Sequence, residues 1–135
     1  TSKRHDRLDS VMHGEELLTY QRIVRAIPVA DPVARYAVRL ASMSRPSRPD
    51  APAFVKEYVS WGASLRGSHY LVLAGKARAV LQGRFGVSVG DIEAVAMPVL
   101  RHRIITNFRA EAARIRPETI VERLLQAVPK PSSGL

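Results

Sequence analysis

Prolines cut this chain into helix-length pieces. Leu17, Tyr20, Ile23, Val24 and Ile27 recur at the spacing of one helix face, in a run that opens on Glu15 and Glu16 and stops at Pro28. The two carboxylates fall in the first turn, where the positive end of the helix dipole favours them. Asp31-Pro32 reads as an N-cap followed by proline at the first helical position, where a missing N–H does no harm. Val33, Tyr36, Ala37, Leu40 and Ala41 make the stripe of this second helix. The prolines at 46, 49 and 52 forbid its continuation and mark a surface connection. Phe54, Val55, Tyr58, Val59 and Trp61 form an apolar patch that fits a short helix or an extended piece equally well.

Gly62-Ala63-Ser64 breaks and restarts the chain, with Ser64 as the cap of a third helix. The spacing predicts Tyr70, Leu73, Ala74, Ala77, Val80 and Leu81 as its core stripe and an end near Gln82-Gly83. Ser88-Val89-Gly90-Asp91 is a capping box with Asp in place of the usual Glu, and it opens a fourth helix carrying Ile92, Val95, Ala96 and Val99. Pro98 is expected to kink or divide that helix, whose stripe continues through Leu100 and Ile104 toward Asn107. Pro117 opens a last helix bearing Ile120, Val121, Leu124, Leu125 and Val128, closed by Pro129. With no alternating strand pattern, the expected fold is an all-α bundle of four to five helices. It spans residues 14–129, between a linker arm at 1–13 and a disordered tail at 130–135.

An apolar fraction of 46% over 135 residues suits one domain with a core. No apolar run approaches the roughly 20 residues that cross a bilayer, so membrane insertion is not expected. Nothing behind the polar start Thr-Ser-Lys-Arg resembles a secretory signal, and the first residue is not Met, as expected of a piece of a longer protein. The absence of cysteine excludes disulfides and thiolate metal sites and fits a cytoplasmic setting. The four histidines, at 5, 13, 69 and 102, form no i, i+4 pair, so no metal site is expected. His102 lies between two arginines and reads as structural. There is no Gly-x-x-x-x-Gly-Lys-Ser/Thr to cradle a phosphate and no acidic cluster after an apolar strand, so the chain alone is not expected to be a catalyst.

The balance of 21 basic to 12 acidic groups is the footprint of a polyanion partner, but the charge is spread along the chain: nine against five in 1–48, five against two in 49–90, seven against five in 91–135. Nucleic-acid binders concentrate their charge in blocks, and this pattern reads instead as solvated helix faces.

Three segments resemble the lid region of MoxR-type AAA+ ATPases. Trp61-Gly62-Ala63-Ser64-Leu65-Arg66-Gly67-Ser68 is similar to the family's sensor 2 segment, Trp-Gly-Ala-Ser-Pro-Arg-Ala. Gly83-Arg84-Phe85-Gly86-Val87-Ser88-Val89-Gly90-Asp91-Ile92 is similar to its Gly-Arg-Tyr-x-Val-x-Pro-x-Asp-Val stretch. Pro98-Val99-Leu100-Arg101-His102-Arg103-Ile104 follows its Pro-Val-Leu-Arg-His-Arg-Leu run. The resemblance spans roughly 14–129. It implies a helical lid over ATP and magnesium bound by a core domain that precedes it in the parent, within a ring-shaped, hexameric ATPase. Chaperone-like assembly or remodelling of protein complexes is implied as well, with partners that can carry a von Willebrand factor A domain.

The resemblance implies a phosphate contact for Arg66, with Ser64 beside it. The residue physics agrees: Arg66 falls in the first turn of the third helix, next to unpaired backbone N–H groups and the positive end of the dipole. The plain alternative is a surface arginine paired with Glu57. Leu65 stands where the family has proline, and Gly67 where it has alanine, a change worth about 1 kcal/mol of helix propensity. Both departures predict a looser sensor. Trp61 and Gly62 read as structural, Trp61 as an anchor on the bundle or simply as core. Arg101 and Arg103 read as contacts to the core domain or a neighbouring subunit, or as solvated arginines. Two other classes remain open. One is a nucleic-acid module using the second and third helices as a helix-turn-helix, against which stands a joining segment of about twenty residues where three or four are usual. The other is an assembly domain that docks a protein without touching nucleotide.

Overall fold

The computed structural model describes residues 9–131. Seven helices are present among them: α1 (Gly14–Ala26), α2 (Asp31–Ser42), α3 (Ala53–Tyr58), α4 (Leu65–Leu81), α5 (Val89–Leu100), α6 (Phe108–Ala112) and α7 (Pro117–Ala127). Two short strands, β1 (Val59–Trp61) and β2 (Ile105–Thr106), pair antiparallel, with Val59 opposite Thr106 and Trp61 opposite Ile105. The five longer helices are those expected from the apolar spacing, and the architecture is the expected small helical bundle. The ambiguous patch at 54–61 is both things at once, one and a half turns of helix and then a strand. Most of the expected linker arm, residues 1–8, and of the expected tail, 132–135, lies outside the described residues. Lys130, assigned to that tail, forms an ion pair with Glu93 at 2.7 Å.

α4 is the centre of the bundle, packed between α2 and α5, and α7 closes the far side of α5. Its fully buried face is not the expected one, although Ala74 and Val80 of the expected stripe pack against the core. Gly67, Ser68, Leu71, Gly75 and Ala79 point inward, whereas Tyr70 and Leu81 are exposed. The reason is close approach. A β-carbon on Gly75 would lie 3.0 Å from Ile92 Cδ1 and 3.1 Å from Val87 Cγ1, so a helix pressed between two others presents its smallest residues where they come nearest. Periodicity of large apolar residues cannot find such a face.

Two helix boundaries and one additional helix also differ from expectation. Asp31 is the first residue of α2 rather than its cap, with Ala30 in the cap position. α5 does not run on toward Asn107. Pro98 leaves one carbonyl of the preceding turn without its donor, and α5 ends at Leu100, neither divided nor continued. The chain then turns, buries Ile104 and enters β2. α6 has no counterpart in the sequence reading. Asn107 starts it by accepting from the Ala110 amide (3.1 Å), while its side-chain amide donates to the Glu57 carbonyl (2.8 Å).

The expected stop of α4 is present. Gly83 adopts φ 69° and the Arg84 amide donates back to the Ala79 carbonyl at 2.8 Å, which satisfies the last turn. The Ser88 capping box is present too, and it does more than cap. Asp91 is fully buried. It accepts from the Ser88 amide (2.8 Å), from Arg78 (2.6 Å) and from both terminal nitrogens of Arg84 (2.5 and 2.7 Å). Above all the Arg84 guanidinium holds this carboxyl well below the usual carboxylate range, against the opposing effect of burial. Tyr36 is buried on α2 and its hydroxyl has no hydrogen-bond partner among the described residues. Burial, with the Glu93 charge adding to it, pushes its phenol up to about 12.

Candidate functional site

Residues 62–66 are held from the side opposite to solvent. Ser44, fully buried just past α2, donates its hydroxyl to the Ala41 carbonyl (2.6 Å) and accepts from the Ala63 amide (2.8 Å). Arg45 Nε donates to the Ala63 carbonyl at 2.7 Å. The segment therefore lies flat on the end of α2, and Gly62 is what allows it. A β-carbon there would fall 2.2 Å from the Ser44 carbonyl oxygen, well inside contact distance. Gly67 has a related reason. A β-carbon would meet the Ala63 β-carbon at 2.9 Å, so the glycine is a packing residue and not merely a weak helix former. Ser44 and Arg45 were not found from sequence. Their contacts span 18 and 19 residues, and no local spacing reports them.

Ser64 is the N-cap of α4, as expected, but its hydroxyl makes no capping hydrogen bond. Leu65 and Arg66 are the first two helical residues. Arg66 is exposed and makes no hydrogen bond or ion pair with any described residue, so the alternative pairing with Glu57 is not formed. The start of this 17-residue helix thus presents a free guanidinium beside backbone N–H groups that no side chain satisfies. Such a site suits an anion with several acceptor oxygens.

Trp61 is 72% exposed, so it is neither core nor an anchor on the bundle. It sits at the end of β1 opposite Ile105, which is also exposed, with Phe108 two residues beyond β2 and Leu65 beside Arg66 exposed as well. The strand offers only Val59 to the interior, and its pairing with β2 is irregular between Val59 and Trp61.

The arginines of the third motif do not share one environment. Arg101 is exposed at the C-cap of α5. Arg103 turns back over the bundle, donating to the Val99 carbonyl (2.6 Å) and lying 4.9 Å from the centre of the Tyr70 ring. It also contacts the ring nitrogen of exposed His102. Pro98 is exposed, and with His102 and Arg103 it borders a cavity of about 560 Å³ between α1, α4 and α5. No cluster of three His, Cys, Asp or Glu side chains that could hold a metal occurs among the described residues. No helix among them is long and apolar enough to cross a membrane.

The AAA lid domain family matches residues 52–124. Over 121 residues, 90% of this chain and 32% of the relative, the sequence is 34% identical to chaperone MoxR1 of Mycobacterium tuberculosis. Over 66 residues, 49% of this chain and 19% of the relative, it is 42% identical to protein MoxR of Paracoccus denitrificans. A crystal structure of a candidate ATPase from Cytophaga hutchinsonii superposes on 87% of this chain and 36% of its own with a TM-score of 0.82 and 28% identity. The chain belongs to the AAA lid domain family, as a lid of the MoxR type. It spans about a third of the length of the Mycobacterium and Cytophaga proteins.

Proposed function

We propose that this lid closes over ATP held by an AAA+ core domain in the same protein, and that Arg66 reads the terminal phosphate as sensor 2. The carrying observation is the start of α4: an unpaired, exposed Arg66 on a segment fixed from behind by Ser44 and Arg45. The residues fit phosphate. A guanidinium carries five donors and a permanent charge, and the free amides at a helix start add to it. They do not fit a magnesium ion, whose ligands are assigned to the core together with the phosphate loop. Ser64, free of a capping bond, stands beside the same amides.

In this reading the exposed Trp61, Leu65, Ile105 and Phe108 surface and Arg101 meet the core or the next subunit of a hexameric ring. Arg103 acts from inside the lid, by holding Tyr70 one turn after Arg66. The parent is then an ATPase of the cytoplasm that assembles or remodels protein complexes, with a von Willebrand factor A domain protein as one kind of partner.

The test is ATP turnover by the full-length parent carrying Arg66→Ala, with ring assembly followed by sedimentation. A loss on the order of tenfold or more with the ring intact is expected. Unchanged turnover would remove Arg66 from the reaction and leave the lid a structural and docking element.

A further inference from the structure

The cavity between α1, α4 and α5 has an apolar floor and a rim of one sign. Val24 of α1, Leu73 and Ala77 of α4, and Val95 and Val99 of α5 supply the floor. Arg25 and Arg103 stand at the rim, with the His102 ring against Arg103. A second hollow continues from it past Arg25 and Leu73, bordered by His69 and Lys76. No Asp or Glu borders either hollow. The Arg25 guanidinium makes no hydrogen bond or ion pair with a described residue, and Arg103 is held in place by Tyr70 and the Val99 carbonyl.

α1 extends this groove. None of its residues is buried, and Leu17, Tyr20 and Ile23 are about half exposed. Leu17 lies one turn before Gln21, which borders the cavity, so the apolar strip leads into it along the length of the helix. A 13-residue helix is about 20 Å long, which is the reach of three to four turns of a partner helix.

We infer that the groove between α1, α4 and α5 docks an acidic amphipathic helix of a partner protein, with its apolar side chains in the cavity and its carboxylates at Arg25, Lys76 and Arg103. The occupant is selected by charge. Apolar side chains alone would fill the floor, but only a partner carrying carboxylates answers a rim of cations with no acid among them. The cavity volume of about 560 Å³ is within the range of ligand-sized clefts, space for several apolar side chains. A second copy of the chain would bring its own basic rim against this one, which argues for a different protein.

The experiment titrates the full chain into a labelled helical peptide of about 15 residues with leucines on one face and glutamates flanking them, read by fluorescence anisotropy. Its lysine-for-glutamate counterpart is the control. The glutamate peptide is expected to bind at least about tenfold more tightly than the lysine peptide, and to weaken as salt rises from about 0.05 to 0.5 M. Arg25→Glu, on an exposed last-turn position of α1, is expected to weaken it about tenfold. Gln21→Glu provides a second, fold-neutral variant with the same direction. Equal binding of the two peptides, or binding unchanged in both variants with their helix content intact, overturns the proposal. So does dimerisation of the chain that excludes the peptide, which assigns the face to a second copy.

Discussion

A methyl group at Gly62 would put a carbon 2.2 Å from the Ser44 carbonyl oxygen and 2.6 Å from the Arg45 amide nitrogen. Both neighbours are backbone and cannot swing away. Gly62→Ala is therefore expected to destabilise the chain by about 2–3 kcal/mol in chemical denaturation, because the segment 62–66 must lift off α2. A change under about 0.5 kcal/mol would mean that the segment is not held as described. At this scale the sequence was readable where the chemistry is local. Ser64 stands at the helix start and Arg66 in its first turn because a cap residue and the turn after it are defined by neighbours in sequence. Trp61 was misread as anchor or core because a large aromatic is usually buried, and only the irregular pairing with β2 decides which way it faces. Ser44, an ordinary serine in a proline-rich stretch, became a buried hub through a partner 19 residues away.

Between elements, Asp91 joins the end of α4 to the start of α5 through Arg78, Arg84 and Ser88. Its carboxyl is held below the usual range when folded, so its contribution is present above the unfolded value of about 4 and is lost as pH falls toward the folded one. Asp91→Asn is expected to cost about 3 kcal/mol at pH 7 and to flatten the decline in stability on acidification, measured by urea unfolding at several pH values. An acid limb as steep as in the wild type would contradict this. The capping box was visible in the sequence, but the buried ion cluster was not, since Arg78 and Arg84 are ordinary basic residues until the turn at Gly83 brings them round. α1 tests the opposite case. It has a regular apolar stripe, as the spacing said, yet buries only Ile27, at its C-cap. Its amides are expected to exchange through local opening, with protection clearly below that of α4 and α5 in native-state hydrogen exchange. Equal protection would show that α1 is an integral part of the bundle.

For the molecule as a whole, five helices and their order could be read from apolar spacing and proline, because each is long enough to show its period and all but α5 stop shortly before a proline or glycine. Which face of α4 is inside could not, because glycine and alanine carry no hydrophobic signal and their burial reports the approach of α2 and α5. The same packing fixes what the lid can do. In the proposed reading the centre built on α4 offers one end, with Arg66, to the nucleotide, and its flank borders the groove whose rim carries Arg25 of α1 and Arg103 beyond α5. If Arg66 reads the third phosphate, its removal must discriminate between nucleotides and not merely weaken all of them. The direct measurement is the affinity of the full-length parent for a non-hydrolysable ATP analogue and for ADP, in the wild type and in Arg66→Ala. A loss of about tenfold for the ATP analogue with little change for ADP is the expected result. Equal losses for both nucleotides, or none for either, would contradict a role for Arg66 at the terminal phosphate.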